Sequence, residues 1–392
     1  MILLVVKWLS AWGINFPAVF AYSSTRMMLA AMTSLFLSIG LGSFFIRKLY
    51  LLKIGQTIRK EAEECSLLGK LHAKKEDTPT MGGALILFSM LVSLFLWMDL
   101  SNVFTWILLA TTCVFGGLGG YDDYLKLKYK NTKGLGGKKK LGIQILFSAL
   151  LACVLFLPDF FPLSIMRWGE AGGHSMEAPY QIGAAHLFFP FYKYPLIAFS
   201  GLGLLILGTF SVFVITGASN AVNLTDGLDG LAAGCLIMAS MAFAAIAFLS
   251  NNSEFAHYLN IPYIEGSAEI AIYLCALIGG ALGFLWYNSH PAQVFMGDIG
   301  SLSLGAIIGV SAVLLRREIL LSIIGGIFVA EALSVILQVG SYKLRNKKRI
   351  FLIAPLHHHF EYLGMPETKV VIRFWIVALL LAIVGLSSIK LQ

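Results

Sequence analysis

Charged residues are scarce in this chain of 392 residues. Asp, Glu, Lys and Arg together make up 13%, apolar residues make up 58%, and the mean hydropathy is +0.80. An ordinary soluble domain carries about 25% charged residues, so the composition excludes that class. Alternation of apolar and polar residues with a period of two is also lacking, which disfavours a closed membrane β-barrel. We therefore expect an all-α membrane protein.

Other signatures are missing as well. The cysteines are an odd, scattered set, and four of them lie within apolar runs, which argues against a disulfide framework or a zinc site; they are Cys65, Cys113, Cys153, Cys235 and Cys275. No G-x-x-x-x-G-K-[ST] sequence occurs, which disfavours a nucleotide-driven P-loop pump. The N-terminus lacks a short apolar region followed by a cleavage site, so we expect no removed signal peptide.

Long apolar runs, by contrast, recur along the whole chain. A helix needs about 20 apolar residues to cross a hydrocarbon core of about 30 Å. The runs predict ten spans, at 24–46, 81–98, 104–121, 141–158, 195–215, 231–249, 267–286, 302–315, 319–340 and 370–389. The eighth is short, which favours a start inside the GDIGSLSLG stretch. Because no internal linker or repeat interrupts the chain, we expect one integral-membrane domain over 1–392.

The basic residues fix the expected orientation. Twenty-one of the 29 Lys and Arg residues fall in three loops: between the first and second spans, after the third, and before the tenth. By the positive-inside rule these loops are cytoplasmic, and both termini point outward. We expect anionic membrane lipid rather than nucleic acid to be attracted to this face. A transporter would show the same pattern.

Five polar clusters fall on this same cytoplasmic face. They read HAKKEDTPTMGG (72–83), GGYDDYLK (119–126), SNAVNLTDGLDG (219–230), YNSHPAQVFMGDIGS (287–301) and APLHHHFE (354–361). Clusters that converge on one membrane surface predict a site open to the cytoplasm.

Two adjacent aspartates, Asp122 and Asp123, follow the third apolar run. A solvated helix end would account for one of them more easily than for both. Neighbouring residues on a helix do not share a face. We therefore expect the pair to serve one ion only if the helix ends there.

The next two clusters carry further carboxylates. Asp226 and Asp229 are three residues apart and can share one face of a helical turn with Asn223, although the segment is also typical of a polar Asp-Gly turn. Asp298 lies alone between two apolar spans, where it suits a hard cation held by oxygen ligands.

The three histidines in APLHHHFE lie in a basic segment, which favours anion binding or proton transfer over a metal; an interfacial loop is the simpler alternative.

Carboxylates, basic side chains and a membrane-surface location together indicate phosphate chemistry, in which a divalent cation and cationic side chains neutralise charge. A transporter is the rival class, and it would place ionisable residues near the centres of spans. Glu331 in the ninth span is the main residue of that kind. The transporter is therefore the weaker hypothesis.

These motifs, in this order, resemble the polyprenyl-phosphate N-acetylhexosamine-1-phosphate transferase superfamily. The TPTMGG and PxHHHFE forms resemble its phospho-N-acetylmuramoyl-pentapeptide branch. The resemblance implies transfer of phospho-MurNAc-pentapeptide from UDP-MurNAc-pentapeptide to undecaprenyl phosphate with Mg²⁺, which yields lipid I and UMP in peptidoglycan synthesis. It also implies a homodimer. The alternative within the superfamily is a sister enzyme that transfers GlcNAc-1-phosphate from UDP-GlcNAc.

The resemblance also implies residue roles. Asp298 would bind Mg²⁺, Asp122 would deprotonate or orient the lipid phosphate, and Asp123 would support the metal or the lysines. The remaining matches are Lys75, Asp229, Asn288 and Phe295 around the uracil, Asn223 and Asp226 along the ribose and diphosphate, His357, His358 and His359 with Gln338 near the phosphates or sugar, and Lys126, Lys130 and Lys138 on the diphosphate. A route through transiently phosphorylated Asp298 and a single-step route both remain open.

Overall fold

The computed structural model describes residues 8, 12, 17–51, 78–129, 134–156 and 186–391. A short 3₁₀ helix, Ala18–Ala21, precedes the first long helix. The elements that follow are α1 (Ser23–Leu51), α2 (Gly83–Trp97), α3 (Val103–Tyr129), α4 (Gly137–Phe156), β1 (His186–Leu187), β2 (Ile197–Ala198), α5 (Gly203–Thr225), α6 (Leu231–Ser250), α7 (Ser253–Leu259), α8 (Ala268–Asn288), α9 (Gly297–Leu314), α10 (Glu318–Ile324), α11 (Gly326–Leu344), α12 (Leu356–Tyr362) and α13 (Glu367–Lys390).

Nine helices of the described part are long and apolar enough to cross a membrane, and α2, with 15 residues, is a shorter apolar helix. Each predicted span overlaps a helix of the described residues, which supports a polytopic membrane protein. The eighth does begin inside GDIGSLSLG, at Gly297. The ninth is broken at Gly325 into α10 and α11.

Two predicted boundaries were wrong. The third span does not stop at residue 121, because α3 continues to Tyr129 and Lys126 pairs with Asp122 one turn earlier. The fifth span does not begin at residue 195, because residues 197 and 198 pair in antiparallel fashion with 187 and 186. Gly201, at a φ of +53°, turns the chain before α5 begins.

The centre of the bundle is built on α8 and α9. Helix α8 packs along α1 and α6, while α9 lies against α3 and α5. Small residues allow these close approaches: a Cβ added at Gly305 would overlap the carbonyl of Ala218, and Ser219 Oγ donates to the carbonyl of Leu302 at 2.9 Å. The start of α9 is therefore held tightly between the ends of α3 and α5.

An ion pair marks the opposite end of the bundle. Arg26 at the start of α1 lies 2.6 Å from Glu269 at the start of α8, and both side chains are buried. Glu269 also accepts a hydrogen bond from the Asp99 backbone, just after α2. The first turns of α1 and α8 and the last turn of α2 thus meet at one end, away from the start of α9.

Helices α3 and α9 approach each other closely at Gly119. A Cβ there would overlap the backbone carbonyl of Asp298, whereas around Gly117, two residues earlier, none of the described atoms lies within 4 Å of the Cβ position. We expect Gly119→Ala to lower stability by roughly 1–3 kcal/mol through overpacking. Gly117→Ala, the matched control, should be neutral or stabilise the helix by up to about 1 kcal/mol. Thermal unfolding in detergent measures both, and equal effects would contradict the contact.

Candidate active site

The adjacent aspartates of α3 are almost fully buried, with Asp122 2% and Asp123 3% exposed. Asp122 Oδ1 accepts a hydrogen bond from the Leu135 N–H at 2.6 Å. Asp123 Oδ2 accepts one from the Ile299 N–H at 3.1 Å, which satisfies a free donor in the first turn of α9. Although the helix does not end at this pair, both carboxylates point toward the segments that surround the start of α9.

Asp298, the second residue of α9, is the centre of the cluster. The Asn223 side chain donates to its Oδ1 at 2.7 Å, and Lys126 and Lys140 donate to its Oδ2 at 2.8 and 2.6 Å. Gly297 just before it has a φ of +74°, and a Cβ there would overlap Asp123. Glycine at this position therefore brings the two carboxylates together.

The two lysines join the carboxylates of α3 to that of α9. Lys126 Nζ lies 2.8 Å from Asp122 Oδ2 and 3.5 Å from Asp123 Oδ1, and Lys140 Nζ lies 3.3 Å from Asp122 Oδ2. Charge-assisted hydrogen bonds of this kind stabilise buried carboxylates that would otherwise be costly.

Lys140 was not among the predicted site residues. Lys138, which was, is exposed at the start of α4 and does not reach the cluster. Positions two apart on a helix face different ways, and the start of α4 at Gly137 sets which lysine turns inward. The predicted residues Lys75 and Lys130 lie outside the described residues.

Asp226 faces the same cluster from the turn after α5. Burial, and then the negative charges of Asp298 and Asp123, raise its pKa, while a hydrogen bond from the Gly297 N–H opposes that shift. Asp229 lies in a different group. The prediction that Asp226 and Asp229 share a helical face was wrong, because α5 ends at Thr225.

Asp229 forms a second group with His290 and Glu367. Its Oδ2 lies 2.9 Å from His290 Nδ1 and accepts from the Ala292 N–H at 3.1 Å, while its own N–H donates to Glu367 at 2.8 Å. The predicted residue Asn288 lies alongside, where it bonds the Gly230 N–H and the Val294 carbonyl. Hydrogen bonds anchor this group, which is separate from the aspartate–lysine cluster of Asp122, Asp123, Asp298, Lys126 and Lys140.

Both acidic groups have the spacing of a metal site. In each, three ligand atoms lie within 4.8 Å of one another. Asp122, Asp123 and Asp298 offer oxygen alone, the ligand that hard cations such as Mg²⁺ prefer, whereas the second group includes an imidazole nitrogen. When ionised, the three carboxylates of the first group exceed its two lysines by a formal charge of −1. A divalent cation therefore fits the first group.

The TPTMGG segment (78–83) is hydrogen-bonded to the FMGD loop. Phe295 donates its N–H to the carbonyl of Pro79 at 2.8 Å, and its carbonyl accepts from Gly82 at 2.8 Å. The next pair, Gly83 and Met296, repeats this bond at 2.8 Å. These bonds bring residues 78–83, the described part of the first polar cluster, to the start of α9.

The histidines form the short helix α12 rather than a loop. His357 is fully buried, and its Nδ1 lies 3.0 Å from Glu331 on α11. His358 is half-buried, 2.8 Å from Glu361. His359 Nδ1 accepts from the Leu352 N–H at 3.3 Å. His357 thus joins α12 to the long helix α11 through a charged group.

Gln338 lies apart from the carboxylates. Its Oε1 accepts from the N–H groups of Ile350 and Phe351 at 3.0 and 2.9 Å, and its Nε2 donates to the Phe351 carbonyl at 2.9 Å. In this arrangement Gln338 secures the segment that leads into α12.

Comparison with known proteins agrees with this geometry. Residues 105–316, which include α3, α4, α5 and the start of α9, match the model of Glycosyl transferase family 4. Because that match covers more than half of the chain, the protein is a family 4 glycosyl transferase.

Curated relatives identify the branch of this family to which the chain belongs. A phospho-N-acetylmuramoyl-pentapeptide-transferase of Protochlamydia amoebophila is 60% identical, and the alignment covers 100% of both chains. Proteins with the same name from Francisella philomiragia and Francisella tularensis subsp. novicida are 46% and 44% identical, again over 100% of both chains. The chain belongs to the phospho-N-acetylmuramoyl-pentapeptide-transferase family.

Lys140 provides a test of the cluster. We expect Lys140→Met to lower the unfolding temperature in EDTA, because it removes charge-assisted bonds worth about 1.5–3 kcal/mol each. Mg²⁺ should raise the unfolding temperature of this variant more than that of the wild type, since one ammonium no longer competes for Asp298 Oδ2. Lys138→Met is the matched control and should behave as the wild type. Identical responses of the two variants would contradict the assigned geometry.

Proposed function

We propose that the aspartate–lysine cluster is the active site at which phospho-MurNAc-pentapeptide passes from UDP-MurNAc-pentapeptide to undecaprenyl phosphate, with lipid I and UMP as products. One observation carries the proposal. In a chain of this family, Asp122, Asp123 and Asp298 converge with Lys126 and Lys140 within ion-pair distance. That is the set of charges that transfer between phosphate groups requires.

The reaction brings an anionic lipid phosphate to an anionic diphosphate, so neutralisation and alignment of charge account for most of the catalysis. Lys126 and Lys140 supply two ammonium groups. Asp298, with Asp122 or Asp123, would hold Mg²⁺, which would supply positive charge to neutralise the phosphates when bound. The Asn223 side chain holds Asp298 Oδ1 and so fixes the direction in which that carboxylate points.

The two aspartates of α3 support different roles. One oxygen of Asp123 accepts the Ile299 N–H, so Asp123 is proposed to fix the start of α9 relative to α3. Asp122 Oδ2 faces both lysines, while the Leu135 N–H holds Oδ1. Asp122 is therefore the proposed group that orients the lipid phosphate or accepts its proton.

The nucleotide is proposed to bind beside the cluster, between the turn after α5 and the FMGD loop. Asp226 and Asp229 lie on the turn, and Phe295 and Asn288 lie on or next to the loop. The hydrogen bonds of Asn288 to Gly230 and Val294 join these two segments and support a preformed pocket. Phe295 is partly buried and offers the aromatic face proposed for the uracil.

The proposed orientation follows the basic loops. The cluster would face the cytoplasm at the bacterial inner membrane, with both termini on the periplasmic side. The buried Arg26–Glu269 pair then lies toward the periplasm. A homodimer is proposed from the family resemblance alone.

Release of UMP is the direct test. Purified protein with UDP-MurNAc-pentapeptide, undecaprenyl phosphate and Mg²⁺ should form UMP and lipid I in equal amounts, and omission of the lipid should abolish lipid I and the continued release of UMP. UDP-GlcNAc in place of the muramoyl substrate distinguishes the sister transferase. A folded sample that releases no UMP would refute the proposal, and flux across liposomes without UMP would favour the transporter.

Asp298→Asn tests the metal role. It removes one charge from the cluster while it retains an amide oxygen and the side-chain shape. We expect kcat to fall by at least about 100-fold, in line with the loss of a group that acts on transition-state charge. The response to Mg²⁺ should also become flat. An unchanged Mg²⁺ dependence, measured by titration of UMP release, would remove Asp298 from the metal site.

A further inference from the structure

Glu331 is a carboxylate buried in α11, and its three hydrogen-bond donors all come from the histidine segment. Its exposed fraction is 0%. It accepts the N–H of Leu356 at 2.9 Å, the N–H of His357 at 3.1 Å and the Nδ1–H of His357 at 3.0 Å. The first two are donors in the first turn of α12, which Pro355 does not cap. Glu331 therefore caps α12 and orients one of its side chains.

The other ring nitrogen of His357 points at the turn after α5. A Cβ added at Gly227 would overlap Nε2, so the ring and the turn are in direct contact. Nε2 is buried, and within the described residues no group forms a hydrogen bond with it. Because Nδ1 bonds to Glu331, Nε2 is the ring nitrogen that faces the turn.

Asp226 connects the contact between His357 and Gly227 to the aspartate–lysine cluster. Asp226 precedes Gly227 and accepts the Gly297 N–H at the start of α9. A continuous series of contacts thus runs from Glu331 through His357 and the Gly227 turn to the residue before Asp298. A shift of α12 would move the turn, and with it Asp226.

We infer that Glu331 and His357 are positioning residues: they hold the Asp226 turn and α12 in place, and His357 touches no substrate. The inference rests on the proposed function, since it concerns the same active site. His358 and His359, both half-buried, are then the histidines left to face the substrate, and the ring centroid of His358 lies 4.2 Å from that of His357. The rival role for His357 is a substrate contact through Nε2.

Two substitutions of His357 distinguish these roles. The amide nitrogen of Asn can take the place of Nδ1, while that of Gln reaches the place of Nε2. We expect His357→Asn to retain kcat within about tenfold of the wild type and His357→Gln to lose at least about 100-fold. The KM for UDP-MurNAc-pentapeptide should stay within about threefold in both. If Gln preserves activity and Asn does not, Nε2 acts on the substrate and the inference is wrong.

Glu331→Gln should lower kcat as His357→Gln does, because one amide oxygen cannot accept all three donors. Both unfolding temperature and UMP release are measured for each variant, with wild-type UMP release as the control. If the wild type is inactive, the proposed function fails first. If the wild type is active and Glu331→Gln matches its kcat, the positioning role fails alone.

Gly227→Ala tests the same contact from the side of the turn. The added methyl group should displace the His357 ring and the turn, and lower kcat by at least about tenfold. Asn lacks the outer ring atoms, so the double variant Gly227→Ala, His357→Asn should recover most of this loss. Full activity of Gly227→Ala, or no recovery in the double variant, would overturn the inference.

Discussion

The structure of the site depends on the contact between the Asp298 carboxylate and the ammonium groups of Lys126 and Lys140. Buried carboxylates that repel one another remain charged only if cations and hydrogen bonds compensate them. Lys126 connects α3 to α9, and Lys140 connects α4 to α9. The same bonds that stabilise these charges thus join three helices, so the charge pattern and the packing of the site cannot vary independently. A cation that binds to Asp298 must compete with both lysines.

Close backbone packing makes this electrostatic arrangement possible. Gly119 allows α3 to touch the carbonyl of Asp298, and Gly297 allows the chain to turn beside Asp123. A side chain at either position would separate carboxylates that now share partners. Ligand atoms within 4.8 Å of one another tolerate little displacement. The glycines of the GGYDDYLK and FMGD motifs are therefore part of the site, although they carry no functional group.

The sequence predicts the ten spans and the convergence of its polar clusters because both follow from composition along single segments. It fails where the relative rotation of helices decides the outcome. Lys138 and Lys140 are indistinguishable as members of a basic loop, and only the start of α4 selects Lys140. Asp226 and Asp229 match a helical spacing, but the end of α5 at Thr225 sends them to different groups. Such choices depend on tertiary contacts that local spacing does not encode.

Glu331 shows how one buried charge can support two different functional interpretations. As a residue in the middle of a predicted span, it is the feature that most favours a transporter. In the structure, its three donors belong to a single helix end and one adjacent imidazole, and the carboxylate is 0% exposed. A transport site must bind and release an ion, and so it requires a polar group that solvent can reach. A carboxylate whose hydrogen-bond donors all come from the protein stabilises the fold instead. Glu331 therefore does not support a transport function.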